Sequence, residues 1–109
     1  MTTLSTKLTY YIPYSHSLKE KRMVSRSLID RVRHKFNVSV SEVDTQDSHQ
    51  TLTVGIAVVS GSAVYARTML DNIVRYMESS TEAELLTVED QDYSTDEPVQ
   101  ANRAESDTQ

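Results

Sequence analysis

Two segments of helical periodicity constrain the fold of this chain more than any other feature. In residues 18–36 the apolar side chains recur every three or four positions, and residues 62–79 repeat this spacing, which is typical of helices with one buried face. Ser17 and Glu20 occupy the positions of a capping box, in which Ser17 accepts from the helix backbone and Glu20 reaches back to the cap. Asn37 is a candidate left-handed C-cap. The sequence therefore predicts two amphipathic helices of similar length.

The segments around these helices have the composition of strands. Apolar and polar residues alternate in the first of them, and β-branched residues dominate the next two, as in strands that are buried on one face. The predicted strands cover residues 4–12, 38–43, 51–60 and 83–91. The order strand–helix–strand–strand–helix–strand predicts an α+β fold, a ferredoxin-like βαββαβ sandwich with two helices on one face of a four-stranded antiparallel sheet.

The end of the chain differs in composition from the rest. Residues 93–109 are polar, hold four acids against one arginine, and carry few apolar side chains. Such a segment cannot bury enough surface to offset the entropy of ordering its backbone. The sequence therefore predicts one ferredoxin-like domain, residues 1–92, followed by a disordered acidic tail, residues 93–109.

Several classes of function find no support in the composition. The absence of cysteine excludes a disulfide framework, a thiolate zinc site and a cysteine nucleophile. Asp44, Asp47 and His49 match neither a calcium loop nor a usual zinc site, and residues 15–17 offer no third group that would complete a catalytic set. We therefore expect no catalytic residue, no metal and no cofactor, and we expect that the protein is not an enzyme.

The sequence also lacks targeting signals. No apolar run approaches the ~20 residues of a membrane span, and the N-terminus has neither a basic nor an apolar leader segment. We therefore expect a cytoplasmic protein that does not contact a membrane.

The charge is unevenly distributed along the chain. Residues 1–36 hold eight Lys and Arg against two acids, whereas residues 37–109 hold three against fourteen. The overall net charge of −5 therefore hides a basic half. At 100° per residue, one sector of roughly 60° on the first helix holds four cations. We call these residues the basic sector: Lys19, Arg22, Arg26 and Arg33.

Cations at the start of the first helix suggest a bound anion. Lys19, Lys21 and Arg22 lie in its first turns, where the macrodipole disfavours positive charge by about 0.3–1 kcal/mol per residue. A phosphate would reverse this effect, because helix N-termini bind phosphates. A solvated helix face is the ordinary alternative. The functional hypothesis is an RNA phosphate-binding surface formed by Ser15, His16, Ser17, Lys19, Lys21, Arg22, Arg26 and Arg33.

A second candidate surface is the sheet face that the helices leave open. The alternation of the strands places on it Tyr11, Thr53, Gly55 and Ala57. RNA-binding sheets of this shape stack bases on several aromatic residues, and here only Tyr11 is suitably placed. We therefore interpret this face as a possible homodimer or protein interface.

Several motifs also resemble a known bacterial family. They are SHSLKEKR (15–22), SLIDRVR (27–33), FNVSV (36–40), QD (46–47), GIAVVS (55–60) and ELL (84–86). Together they cover about residues 4–90 and are similar to the YlxP-like family, a domain of unknown function.

The resemblance implies a ferredoxin-like fold and a bacterial protein. It also implies genes near those for translation initiation and ribosome maturation, and hence ribosomal RNA or a ribosomal subunit as a possible partner. It supplies no catalytic residue. The family usually has a Trp and an Arg after Gln46 and Asp47, where this sequence has His49 and Thr51. A function that rests on an aromatic–Arg pair at this hairpin is therefore not expected here.

Overall fold

A computed structural model describes residues 1–94 of the chain. Within these residues, strands and helices follow one another in the order predicted from the sequence. They are β1 (Thr2–Tyr11), α1 (Leu18–Lys35), β2 (Ser39–Glu42), β3 (Thr51–Ser60), α2 (Ala63–Ser80) and β4 (Glu84–Ser94). The strands form a four-stranded antiparallel sheet in the order β2-β3-β1-β4. The predicted ferredoxin-like sandwich is confirmed.

The alternation in β1 determines which face of the sheet is buried. Leu4, Leu8 and Tyr10 are buried on the face that carries the helices, because successive side chains of a strand point to opposite faces. On the neighbouring β3, Leu52 and Val54 lie on the same side. The core is completed by apolar side chains of both helices, including Leu28, Ile29, Val32, Ala66, Leu70, Ile73 and Met77.

The core also contains a phenol. Tyr10 is fully buried, and among the described residues its hydroxyl has no hydrogen-bond partner. Burial, and to a lesser extent the charge of Glu78, raises the pKa of Tyr10. The phenol therefore stays neutral.

The first helix begins with the predicted capping box in a shifted form. The Ser17 hydroxyl accepts from the Glu20 amide at 3.1 Å. The Glu20 carboxylate accepts from the amide of His16 at 2.7 Å, one residue before the cap. These two bonds fix the loop that leads into α1 and satisfy two amides at its start.

The predicted left-handed cap at Asn37 is wrong. Helix α1 ends instead at Phe36, which has extended backbone (φ −127°) and donates its amide to the Val32 carbonyl. The Phe36 ring packs edge-on against Tyr76 of α2, which holds the chain in this conformation. Among the non-glycine residues that the structure describes, only Asp44 has a positive φ, 64°.

Strand β4 runs two residues further than the domain boundary predicted at residue 92. It ends at Ser94, which pairs with Thr2 at the start of β1. The remainder of the predicted tail, residues 95–109, lies outside the described residues.

Candidate nucleic-acid interface

Lys21 is the cation whose position differs most from the prediction. Its side chain is fully buried, and its ammonium group donates to the Glu42 carboxylate at 2.7 Å. It also contacts three backbone carbonyl oxygens, those of Thr45 at 2.7 Å, Thr51 at 3.3 Å and Gln46 at 3.4 Å. The prediction that Lys21 binds phosphate is therefore wrong, because all of its donors are already used inside the protein.

We call this arrangement the Lys21 clamp: Lys21, Glu42 and the carbonyl groups of Thr45, Gln46 and Thr51. It joins α1 to the end of β2 and to the connection between β2 and β3. Glu42 has its second oxygen bonded to the Ser25 hydroxyl at 3.0 Å. The clamp therefore fixes the β2–β3 connection against the helix that carries the candidate site.

The loop before α1 contributes less to the site than predicted. Ser15 is buried, and its hydroxyl donates to the Ser17 carbonyl at 3.2 Å. Gln50 donates its side-chain amide to the carbonyl groups of Pro13 and Ser15, which links the loop to the β2–β3 connection. The Ser17 hydroxyl accepts the cap hydrogen bond and can still donate its proton, so the exposed Ser17 remains a candidate ligand, whereas Ser15 does not. His16 is exposed and remains available.

The basic sector, in contrast, lies at the surface. Lys19, Arg22 and Arg26 are exposed, and within residues 1–94 no hydrogen bond or ion pair engages their side chains. Arg33 donates one guanidinium nitrogen to the Val40 carbonyl at 2.8 Å, on the edge strand β2. The structure therefore brings four of the predicted phosphate ligands together on one side of α1.

A shallow groove of about 310 Å³ accompanies these cations between α1 and β2. Arg22, Arg26 and Arg33 line it, together with the carboxylates of Asp30 and Glu42. The charge of Glu42 is balanced by Lys21, so Asp30 is the acid that remains to offset the cations there. Four cations are spread over about 21 Å of helix, which is 14 steps of 1.5 Å from Lys19 to Arg33, and form a positive surface suited to an extended polyanion.

The open face of the sheet is partly covered by its own chain. Thr53 is buried, and its hydroxyl is bonded to that of Thr45 at 3.0 Å. Gly55 lies beneath Val43, so that a Cβ at this position would be 3.4 Å from a Val43 methyl group. The predicted interface set is corrected accordingly: Thr53 and Gly55 are covered by the connection after β2, and Tyr11 and Ala57 stay accessible.

A groove of about 700 Å³ occupies the rest of this face. Small side chains form much of its floor, among them Ser5, Ser39, Ser41 and Ala57, and Glu89 and Gln91 of β4 complete the lining. At one end Lys7 forms an ion pair with Asp44 at 2.6 Å, and this hydrogen bond raises the pKa of Lys7. We call this feature the open-face groove.

Neither surface contains metal-binding chemistry. Within the part of the chain that the structure describes, no group of three His, Cys, Asp or Glu residues could hold a metal ion. His49, which stands near the position of the family's usual aromatic residue, is exposed, and Thr51 contributes its carbonyl group to the Lys21 clamp. No helix of residues 1–94 is long and apolar enough to cross a membrane.

The comparisons with known proteins show the family. The model of a family described as "Protein of unknown function (DUF503)" matches residues 3–90. The chain is also 44% identical over 68 residues to the "Uncharacterized protein YlxP" of Bacillus subtilis (strain 168). The aligned segment covers 62% of this chain and 74% of the relative. The chain belongs to the DUF503 family.

The comparison with solved structures concerns the fold. A de novo designed protein with a ferredoxin fold matches 94% of this chain and 94% of its own length, with a TM-score of 0.53 and 14% sequence identity. A cofactor-independent oxygenase from Streptomyces nogalater covers 89% of this chain and 96% of its own length, at a TM-score of 0.48 and 7% identity. The first match supports the ferredoxin-like architecture, and the second is too distant to carry an argument.

Proposed function

We propose that this member of the DUF503 family is a non-enzymatic RNA-binding protein that contacts phosphates through the basic sector of α1. The observation that carries the proposal is that the side chains of Lys19, Arg22 and Arg26 are exposed at the surface. No described residue forms an ion pair or a hydrogen bond with these three side chains.

Their position on the helix adds to the argument. Glu20 is the acid in the first turn of α1, and its carboxylate is engaged by the amide of His16. The carboxylate keeps its negative charge in this hydrogen bond and already offsets part of the helix dipole. Lys19 and Arg22 lie beside it in the first two turns, where a bound phosphate would be favourable to both side chains. His16 lies beside them and can donate to the same anion.

The class of RNA follows from the family resemblance. The resemblance implies that the family's genes lie near those for translation initiation and ribosome maturation. Ribosomal RNA or a ribosomal subunit is therefore the proposed partner. Such a partner would place the protein in the cytoplasm. Phosphate contacts of this kind supply affinity and orientation without selecting a base sequence.

Salt dependence tests the number of phosphate contacts. If Lys19, Arg22, Arg26 and Arg33 each neutralise one phosphate, a plot of log affinity against log salt concentration should have a slope of about −3 to −4. Fluorescence anisotropy with labelled ribosomal RNA fragments at several potassium chloride concentrations measures this slope. A flat salt response would refute phosphate binding by the basic sector.

A second candidate function uses the open-face groove. Small side chains on its floor leave room for side chains of another protein, and Val59 at the end of β3 is 65% exposed on the same face. In a homodimer related by a twofold axis, the same patch of both copies would meet. This alternative requires no nucleic acid.

Arginine in place of Ala57 tests the second candidate. Ala57 lies on the floor of the groove and is accessible, so a long charged side chain there should split a dimer formed through this face and leave the fold intact. Multi-angle light scattering of the wild type and of Ala57→Arg measures the mass. Thr53 is a poorer probe because it is buried. A monomeric wild type, or a dimer that Ala57→Arg leaves unchanged, would exclude this interface.

A further inference from the structure

A further groove lies on the side of α1 away from β2, and the proposed phosphate contacts do not use it. It has a volume of about 290 Å³ and lies between the middle of α1, the loop before this helix and the connection from α2 to β4. Its walls include Tyr14, Met23, Ser27, Arg31 and Glu82. We call it the Tyr14 groove.

Two large side chains of the groove are left uncovered by the fold. Tyr14 is 43% exposed and Met23 is 63% exposed. Single apolar residues at the surface are ordinary, but these two line the same groove. An aromatic ring and a thioether form a surface on which a flat ring can stack.

Arg31 is held in place on the wall of this groove. It donates from one guanidinium nitrogen to the Ser80 carbonyl at 2.6 Å and from the other to the Ser27 hydroxyl at 3.0 Å. A guanidinium that is fixed in this way offers a flat surface for a nucleobase and a charge that attracts the strand carrying it.

The groove borders the basic sector along the helix. Met23 follows Lys19 by four residues and precedes Arg26 by three, and side chains at these spacings are neighbours on a helix surface. An RNA strand with phosphates on Lys19 and Arg26 would therefore pass the rim of the Tyr14 groove. An uncharged apolar peptide would gain nothing from these cations, and this charge complementarity favours RNA as the occupant.

We propose that the Tyr14 groove receives one unstacked base of a single-stranded RNA. This inference rests on the proposed function and narrows it from RNA in general to RNA with an unpaired nucleotide. The ring of Tyr14 stacks on the base, and the Glu82 carboxylate can accept from a base amino group. A fully paired duplex cannot place a base here, because its bases remain stacked within the helix.

The experiment compares two RNA hairpins that differ by one bulged 2-aminopurine nucleotide. We expect the wild-type protein to bind the bulged hairpin about tenfold more tightly than the fully paired one, as stacking of a single base on an aromatic ring allows. The fluorescence of the 2-aminopurine should fall on binding. Tyr14→Ala should remove both effects, and Tyr14→Phe should retain them because the ring is kept.

Tyr65→Ala is the matched control, since Tyr65 is 57% exposed on α2 and lines no part of this groove. If the wild type binds neither hairpin, the proposed function and this inference both fail. If it binds both hairpins equally, or if Tyr14→Ala keeps the preference, the groove is not a base site although RNA binding stands. A protein side chain would then be the remaining occupant of the groove.

Discussion

Replacement of Lys21 by methionine should lower the free energy of unfolding by about 3–5 kcal/mol, the loss that follows removal of one partner from a buried ion pair. Methionine fills similar space, so the effect arises from the groups that lose their donor. Glu42, whose side chain is only 16% exposed, would keep the Ser25 hydroxyl as its partner. The carbonyl groups of Thr45 and Thr51 would also lose hydrogen bonds. Urea unfolding followed by circular dichroism measures the loss.

The neighbouring Arg22→Met is the control for this prediction. Arg22 is exposed and has no partner within residues 1–94, so its loss should change stability by no more than about 0.5 kcal/mol. If Lys21→Met cost as little as Arg22→Met, the clamp would contribute no stability.

A double replacement separates the ion pair from the rest of the clamp. Lys21→Met combined with Glu42→Leu removes both charges, and a buried pair replaced by apolar residues often costs little. The double variant should therefore be more stable than Lys21→Met alone. If the double variant were no more stable than Lys21→Met, the uncompensated carboxylate would not be the main source of the loss, and the unpaired carbonyl groups of Thr45 and Thr51 would account for it.

The position of Lys21 could have been inferred from the sequence. Lys21 precedes Leu28 by seven residues and Val32 by eleven, so all three lie within roughly 20° of one direction on the helix. Both apolar residues are buried, and Lys21 therefore occupies a core position of α1. The prediction placed Lys21 beside the apolar stripe of α1, whereas its side chain lies within the stripe and is buried.

The order of strands and helices could be predicted because it follows from patterns among residues that are close together in the sequence. The alternation of β1 and the periodicity of the two helices depend on neighbouring residues, and the structure places these elements within about two residues of their predicted limits. The capping box at Ser17 was equally local. A four-stranded sheet with both helices on one face buries all of these apolar patterns in one core.

Contacts between distant segments could not be predicted in this way. Val43 covers Gly55, and Thr45 covers Thr53, because the chain turns back at Asp44 with a positive φ of 64°. The polar sequence of this connection indicated a turn but not its direction over the sheet. The Tyr14 groove was missed for the same reason, since it requires the α2–β4 connection to lie beside α1.

The second large expected effect is a loss of affinity for RNA rather than a loss of stability. Arg22→Glu combined with Arg26→Glu should weaken binding to ribosomal RNA fragments by about 100-fold at low salt, because two phosphate contacts are lost and two carboxylates repel the strand. Both side chains are exposed. Their replacement should change the free energy of unfolding by less than about 0.5 kcal/mol, so the weaker binding would not reflect unfolding. Anisotropy titrations and urea unfolding of the same preparations measure the two quantities.

A control variant with the same change in net charge tests whether the loss of RNA affinity depends on where the replaced cations lie. Lys35 and Arg75 are exposed and lie outside the basic sector, near the end of α1 and on α2. Lys35→Glu combined with Arg75→Glu makes the protein as acidic as the first double variant does, and it should retain most of the affinity. Equal losses in both variants would mean that overall charge, and not the face of α1 formed by Lys19, Arg22 and Arg26, governs the interaction. A selective loss in the first variant would locate the phosphates on that face.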